Sequence, residues 1–373
     1  VASLAVRNLL HDKVRLTVTL TGIVFAVVLI CIQIGLFLGF SESTSNVIDH
    51  SHADLWVTSR RIRYLEESGT FSEQKLYQVL AEPGVIEAQK AIVQLSDWTR
   101  PDGGQETIEI VGFDPDSSLG APWNVVEGSV QDLKQPDAVI IDRLYAQKLG
   151  IDRIGQSCEI REHRARVVGF TSGIRTFTTA ATVFTTFKNA QTFDTIPEDQ
   201  TLFVLIRLAP GADPQAVKRN LYARLKNVDI WTTPEFSRLT TVYWMFSTGA
   251  GVSVLIAAVL GLIVGVVVVA QTIYAATVDH IREFGTLKAM GASNGYIYRI
   301  ILTQAVFSAV IGYALGIAGA LLAIRITGDG APILLPAKVA AGMFLLTLLM
   351  CCSAAVVSIN KVTRIDPALV FKN

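Results

Sequence analysis

The chain has 373 residues, 51% of them apolar and 17% charged, with 32 basic side chains against 32 acidic ones. A formal net charge of zero disfavours a nucleic-acid reader or a binder of acidic partners that works through a bulk field. The four cysteines, Cys31, Cys158, Cys351 and Cys352, offer neither a disulfide framework nor a zinc spacing, which leaves them as small buried side chains.

In chain order, the N-terminal stretch 1–15 places Leu4, Val6, Leu9, Leu10 and Val14 among polar residues, the pattern of an amphipathic helix lying on a membrane face. No small-residue cleavage site follows it, so the next apolar run is expected to be retained. That run, 16–40, carries no charge. A bilayer core needs about 20 apolar residues of helix, so 16–40 reads as the first transmembrane helix.

Residues 41–238 have the composition of a soluble domain. Alternating β-rich runs predict strands at 54–58, 91–95, 107–111, 138–141, 166–170 and 202–206. Helices are predicted at 72–81, with Ser72 as N-cap, at 142–149, ending before Gly150, and at 214–225, where Asp213 precedes Pro214. The result is an α+β domain with a strand-rich subdomain at about 105–195 inserted between its flanks. Catalytic motifs are missing: no HExxH, GxSxG or paired CxxC occurs. Nor does the chain contain GxxxxGK[ST], so it has no P-loop with which to hydrolyse ATP. Asp49, His50, His52 and Asp54 form the one dense His/Asp cluster, but two histidines two residues apart share a face only on a strand. That cluster reads as a solvated juncture, and Glu42 as an interfacial residue.

The run 239–278 is again uncharged, and too long for one straight crossing at 1.5 Å per residue. Thr240, Thr241, Tyr243 and Trp244 mark an interface, so the crossing is placed at 251–277 with a helical stalk before it. Two more uncharged runs, 300–324 and 339–360, complete the set, separated by a short outer loop, 325–338, and followed by a tail, 361–373. The fold class is therefore an α-helical membrane protein with four transmembrane helices and a large extracytoplasmic α+β domain inserted between helices 1 and 2. Lys and Arg gather near one side: Arg7, Lys13, Arg15, Arg282, Lys288, Arg299, Lys361, Arg364 and Lys372. The positive-inside rule then puts both termini in the cytoplasm. Glycines four apart, Gly35 with Gly39 and Gly261 with Gly265, allow close helix approach, either within the chain or at a seam between two copies; Gly312 and Gly316 repeat the spacing. No acidic or basic residue sits in mid-span, which argues against a proton- or ion-coupled carrier and for an outside energy source.

The most specific stretch is the cytoplasmic turn 279–299. Ile281, Phe284, Leu287 and Met290 fall on one helical face, Arg282, Glu283 and Lys288 point elsewhere, and Gly291 is placed to stop the helix. A short helix of this kind can lay its apolar ridge in a partner's groove while charge fixes the register.

The run from Arg282 to Ala292, REFGTLKAMGA, resembles the signature of the FtsX/MacB/LolCE permease superfamily of type VII ABC systems, and the ending Arg364-Ile-Asp-Pro-Ala-Leu369 is similar to theirs. Val111-Gly-Phe-Asp-Pro115 and the stretch from Asp142 to Gly150 resemble pieces of that superfamily's outer domain, the MacB-like periplasmic core domain. Segments 15–25 and 279–291 look most like the DevC branch. The resemblance implies a permease of an ATP-driven exporter in a bacterial inner membrane, working by mechanotransmission. Asp279, Arg282, Glu283, Phe284, Leu287, Lys288, Met290 and Gly291 would form its coupling helix against a DevA/LolD/MacB-type ATPase. ATP and Mg would be bound by that ATPase, with no cofactor in this chain. A second permease copy, a DevB-type membrane-fusion adaptor, a TolC-type outer-membrane duct and the lipid bilayer complete the expected partners, with no nucleic acid among them. An FtsX-like regulator of an extracytoplasmic partner and an HrtB-like haem exporter share the architecture and stay open.

Overall fold

The computed structural model describes residues 13–67, 69–178, 180–279, 286, 288, 290–328 and 331–363. The chain divides into two units: one runs to Gly39 and resumes at Val252, and the other comprises Phe40–Gly251.

The first unit is helical. Its helices are α1 (Lys13–Ser43, whose last residues enter the second unit), α8 (Ala250–Asp279), α9 (Asn294–Thr327) and α10 (Ala337–Thr363). Four stretches within them, Leu16–Ser43, Ala250–Thr272, Asn294–Thr327 and Ala337–Val357, are long and apolar enough to cross a membrane. In α1, Ile23, Ala26, Ile30 and Cys31 are almost fully buried, together with Val269 of α8 and Ala309 of α9. Small residues make the close packing possible. A Cβ on Gly265 of α8 would lie 2.9 Å from Ile30, and one on Gly316 of α9 would lie 2.7 Å from Val27. Tyr313 of α9 donates its hydroxyl to the Ala340 carbonyl of α10 at 2.7 Å.

The second unit is built on strands β1 (Leu55–Ser59), β2 (Phe71–Ser72), β3 (Val85–Thr99), β4 (Gln105–Phe113), β5 (Val125–Glu127) and β6 (Ala138–Asp142). They continue with β7 (Ser157–Ile160), β8 (His163–Thr171), β9 (Ala181–Thr186), β10 (Gln200–Thr201), β11 (Phe203–Leu208) and β12 (Val228–Thr232). All but the small β2–β10 pair belong to one sheet of ten strands, in the order β12-β1-β11-β3-β4-β9-β6-β8-β5. Because β7 pairs with both β3 and β8, strands β3, β4, β9, β6, β8 and β7 close into a ring. The long β3 belongs to both parts. Its first half pairs with β11 in the open sheet, and its second half, from Ile92, pairs with β4 in the ring. Trp98, Ile108, Ile110, Ile160 and Val183 of the ring are all fully buried. Each such side chain contributes about 1.5–3 kcal/mol.

Short helices cover the sheet: α2 (Asn46–Asp49), α3 (Gln74–Leu80), α4 (Ala146–Leu149), α5 (Phe187–Phe193), α6 (Pro214–Arg224) and α7 (Thr233–Val242). Helix α6 starts where the sequence places it, with Asp213 accepting from the Gln215 and Ala216 amides and Pro214 in the first turn. The start of α3 needs correction. Its N-cap is Glu73, without a side-chain cap bond, because Ser72 is taken into β2 opposite Gln200.

The expected stalk needs correction too. It is not one continuous helix: α7 ends at Val242, a π-helical turn spans Tyr243–Ser247, and α8 begins only at Ala250. Gly249 between them has φ +77°, a left-handed conformation that costs other residues about 1–2 kcal/mol.

Candidate functional site

The segment after α8 was singled out for coupling. Asp279 is the last residue of α8. His280, Ile281, Arg282, Glu283, Phe284, Leu287 and Ala289 lie outside the described residues. The end of the segment is described. The Met290 amide bonds the Thr286 carbonyl and the Gly291 amide bonds that of Lys288, each at 3.0 Å, so a helical turn closes here. Gly291 then takes φ +93°, the left-handed stop a C′ glycine supplies at least cost. Ser293 restarts the helix by accepting the Tyr296 amide, and α9 follows. Of the predicted ridge, Met290 can be placed, and it is 72% exposed. Lys288 is half-buried.

Each of the glycines considered for a seam between copies lies against residues of its own chain. A Cβ on Gly35 would lie 2.7 Å from Ile333 and 3.1 Å from the Leu334 carbonyl oxygen, and one on Gly39 would overlap the Pro332 carbonyl. The Leu334 amide donates to the Gly35 carbonyl at 3.0 Å, so the loop after α9 is held on α1 by backbone as well as by fit. On α8, Gly261 faces Gln33 and Leu29, and Gly265 faces Ile30 and Ala26.

In the second unit, the Asp/His cluster is dispersed into local structure. Asp49 accepts from the Ser45 hydroxyl at 2.7 Å, and Asp54 accepts the Leu208 amide at 2.7 Å. His50 stacks on Trp123 with ring centres 4.3 Å apart and bonds the Asn46 carbonyl through Nδ1. His52 is one of the few non-glycine residues with positive φ, at +58°. These side chains do not converge on a common point.

Sequence reasoning missed a buried acidic centre in the same unit. Glu109 stands in β4 in register with Leu95 and Thr182, and is 2% exposed. Burial pushes its carboxyl up to about 8, the nearby Glu66 adds to the rise, and the Thr182 hydroxyl at 3.5 Å opposes it. Glu66 is raised as well, by burial first, against the hydrogen bond from the Trp244 indole at 3.4 Å. Trp244 belongs to the π-helical turn, where Tyr64 stacks on Tyr243 at 4.0 Å and Phe177 lies 5.4 Å from Trp244. The one available signal was a charged residue in the middle of Thr107-Ile-Glu-Ile-Val111, which alternation alone assigns to a solvated face.

Comparison with known proteins covers nearly the whole chain. The model of the MacB-like periplasmic core domain matches residues 16–223, and that of the FtsX-like permease C-terminal region matches 241–367. An uncharacterized ABC transporter permease of Mycobacterium tuberculosis, in strains CDC 1551 / Oshkosh and ATCC 25618 / H37Rv, is 25% identical over 380 residues, 98% of either chain. Among solved structures, the periplasmic region of MacB from Actinobacillus actinomycetemcomitans aligns with 50% of this chain and 93% of its own, at TM-score 0.39 and 9% identity. The extracellular domain of the noncanonic ABC-type transporter YknZ from Gram-positive bacteria aligns with 48% and 99%, at TM-score 0.37 and 14% identity.

Proposed function

The chain belongs to the FtsX/MacB/LolCE superfamily of ABC transporter permeases, and from that premise we propose that it carries the motion of a separate ATPase across the membrane into its outer unit. Membership in the superfamily implies the ATPase partner, and the permease is the non-catalytic subunit. The single observation that carries the mechanistic part is the layout of the turn between α8 and α9. A helical turn ends in an exposed Met290 and a left-handed Gly291, after α8 has ended at Asp279 and before α9 begins at Asn294. A short helix stopped so sharply is a lever: force on it passes along α8 instead of being lost in a loose loop. In this reading Asp279, Arg282, Glu283, Phe284, Leu287, Lys288, Met290 and Gly291 face the ATPase, and the turn and both termini are cytoplasmic.

Two permease copies act on two ATPase subunits, and the outer units expel a substrate collected outside the cytoplasm. A DevB-type adaptor and a TolC-type duct would extend the route through a second membrane. The absence of acidic or basic side chains in mid-span supports transmission of force over passage of a polar substrate between the helices.

The test is reconstitution of the full chain with its ATPase in lipid nanodiscs. Glu283→Lys and Gly291→Pro are expected to abolish stimulated ATPase activity and transport while membrane insertion stays intact. Proline fixes φ near −65°, which the left-handed stop cannot accept. Wild-type stimulation by either variant would overturn the coupling assignment.

A further inference from the structure

The chain enters the outer unit through residues 40–46 and leaves it through α7 and the π-helical turn Tyr243–Ser247. Both segments lead covalently into the open sheet. The entry segment passes through α2 to β1, and α7 follows β12, so neither runs directly into the ring. The two segments are tied to each other by the Thr44 and Thr241 hydroxyls, 2.8 Å apart. For their motion to reach the ring, side-chain contact has to carry it.

The loop after β8, residues 172–178, makes such contact with both segments. Phe177 stands edge-on to Phe40 with ring centres 5.9 Å apart, and lies 5.4 Å from Trp244. The Asn46 carboxamide donates to the Arg175 carbonyl at 3.1 Å. By comparison, His50 stacked on Trp123 ties the entry segment alone.

The loop is stiff where it joins the ring. Asp142 of β6 is fully buried and accepts the Thr171 hydroxyl at 2.9 Å, the Gly173 amide at 3.3 Å and the Ile174 amide at 2.8 Å. Ile174 is fully buried too, and the Thr176 hydroxyl donates to the Ala180 carbonyl at 2.7 Å. A loop pinned by a satisfied buried carboxylate moves with the strand that carries it. On the far side of Phe177, Trp244 is backed by the Glu66 carboxyl and by the Tyr64 ring. Trp244 stands in a π-helical turn, a feature frequent at functional sites.

We propose that loop 172–178 is a strut that carries displacement of the entry and exit segments into the ring, with Phe177 as the positioning residue between them. This role presupposes the force-transmission reading and says where the force goes inside the outer unit.

The experiment is hydrogen exchange read by mass spectrometry on the full chain with its ATPase in nanodiscs, without nucleotide and trapped with ATP and vanadate. In wild type, exchange is expected to change at residues 239–249 and in ring strands β4, β6 and β9. Phe177→Ala should keep the change at 239–249 and the stimulated ATPase activity, and reduce the ring response about two-fold or more. Phe177→Leu, which keeps most of the apolar bulk, should restore it. Phe246→Ala, at an exposed aromatic of the same turn, should leave every response as in wild type. If Phe177→Ala does not fold, Asn46→Ala removes the other tie without opening space beside Trp244, and should also lower the ring response. A full ring response in the variant tested, or a wild-type ring that stays silent while 239–249 responds, would overturn the strut and leave the coupling reading standing. No response at 239–249 in wild type would overturn the force-transmission reading, and the strut with it.

Discussion

Glu109 shows how little a single residue's type says about its state. In sequence it is a charged residue between two isoleucines, the ordinary mark of a strand with one face in water. In the fold that face is covered, and the carboxyl is held mostly in its protonated form at neutral pH by burial and by Glu66. Between the usual carboxylate value of 4.5 and about 8, the folded state holds more protons at Glu109 than the unfolded state does. Stability must therefore fall as pH rises through that window and level off above it. One pKa unit corresponds to about 1.4 kcal/mol, so the loss is on the order of a few kcal/mol. Glu109→Gln keeps the shape and removes the titration. Thermal unfolding should show the variant more stable than wild type at pH 8 and the two nearly equal at pH 5. A wild-type profile that rises from pH 5 to 8 would contradict this account of the acidic centre.

At the scale of elements, composition located the helices, and contact decided what their small residues do. The uncharged runs were legible because a span is a property of consecutive residues: about 20 apolar side chains in a row satisfy a bilayer wherever they occur. The partner of Gly39 was not legible, because Pro332 is almost 300 residues away and reaches it only through the return of the chain after α9. A leucine at Gly39 would force side chain into that carbonyl. Gly39→Leu should destabilise the protein by about 1–3 kcal/mol, the usual cost of overpacking. Gly342→Leu is the control, since a Cβ there meets nothing within 4 Å. Equal thermal stability of the two variants in detergent would place the Gly39 face elsewhere. The break before α8 belongs to the same scale. An uncharged run from Leu239 reads as one helix, yet the aromatic packing of Tyr243 and Trp244 against Tyr64 and Phe177 accompanies a π-helical turn, and Gly249 takes a left-handed φ that ends the helical repeat.

For the whole molecule, the two units answer to different solvents. Helices satisfy their backbone hydrogen bonds internally, as a bilayer requires, while the sheet of the outer unit keeps the polar turns and ion pairs of a water-facing domain, such as Arg63 with Glu67 and Lys218 with Glu235. The proposed topology makes a direct prediction. Protease added to the non-cytoplasmic side of sealed vesicles should cut between residues 60 and 230, and inside-out vesicles should protect that region. Cleavage only from the cytoplasmic side would refute the orientation.

The linear sequence by itself determined the four apolar helices, the outer domain between the first and second, most of the strands, the helix stop at Gly291 and the superfamily. Each of these depends on neighbours a few residues apart or on a contiguous motif, so local physics suffices. Only the tertiary structure decided that β7 closes a ring through β3 and β8, that Gly35 and Gly39 of α1 meet the loop after α9, and that Glu109 is buried with the half-buried Glu66 close by. Those outcomes join residues tens to hundreds of positions apart, and nothing in the periodicity of one segment reports which distant segment will cover it.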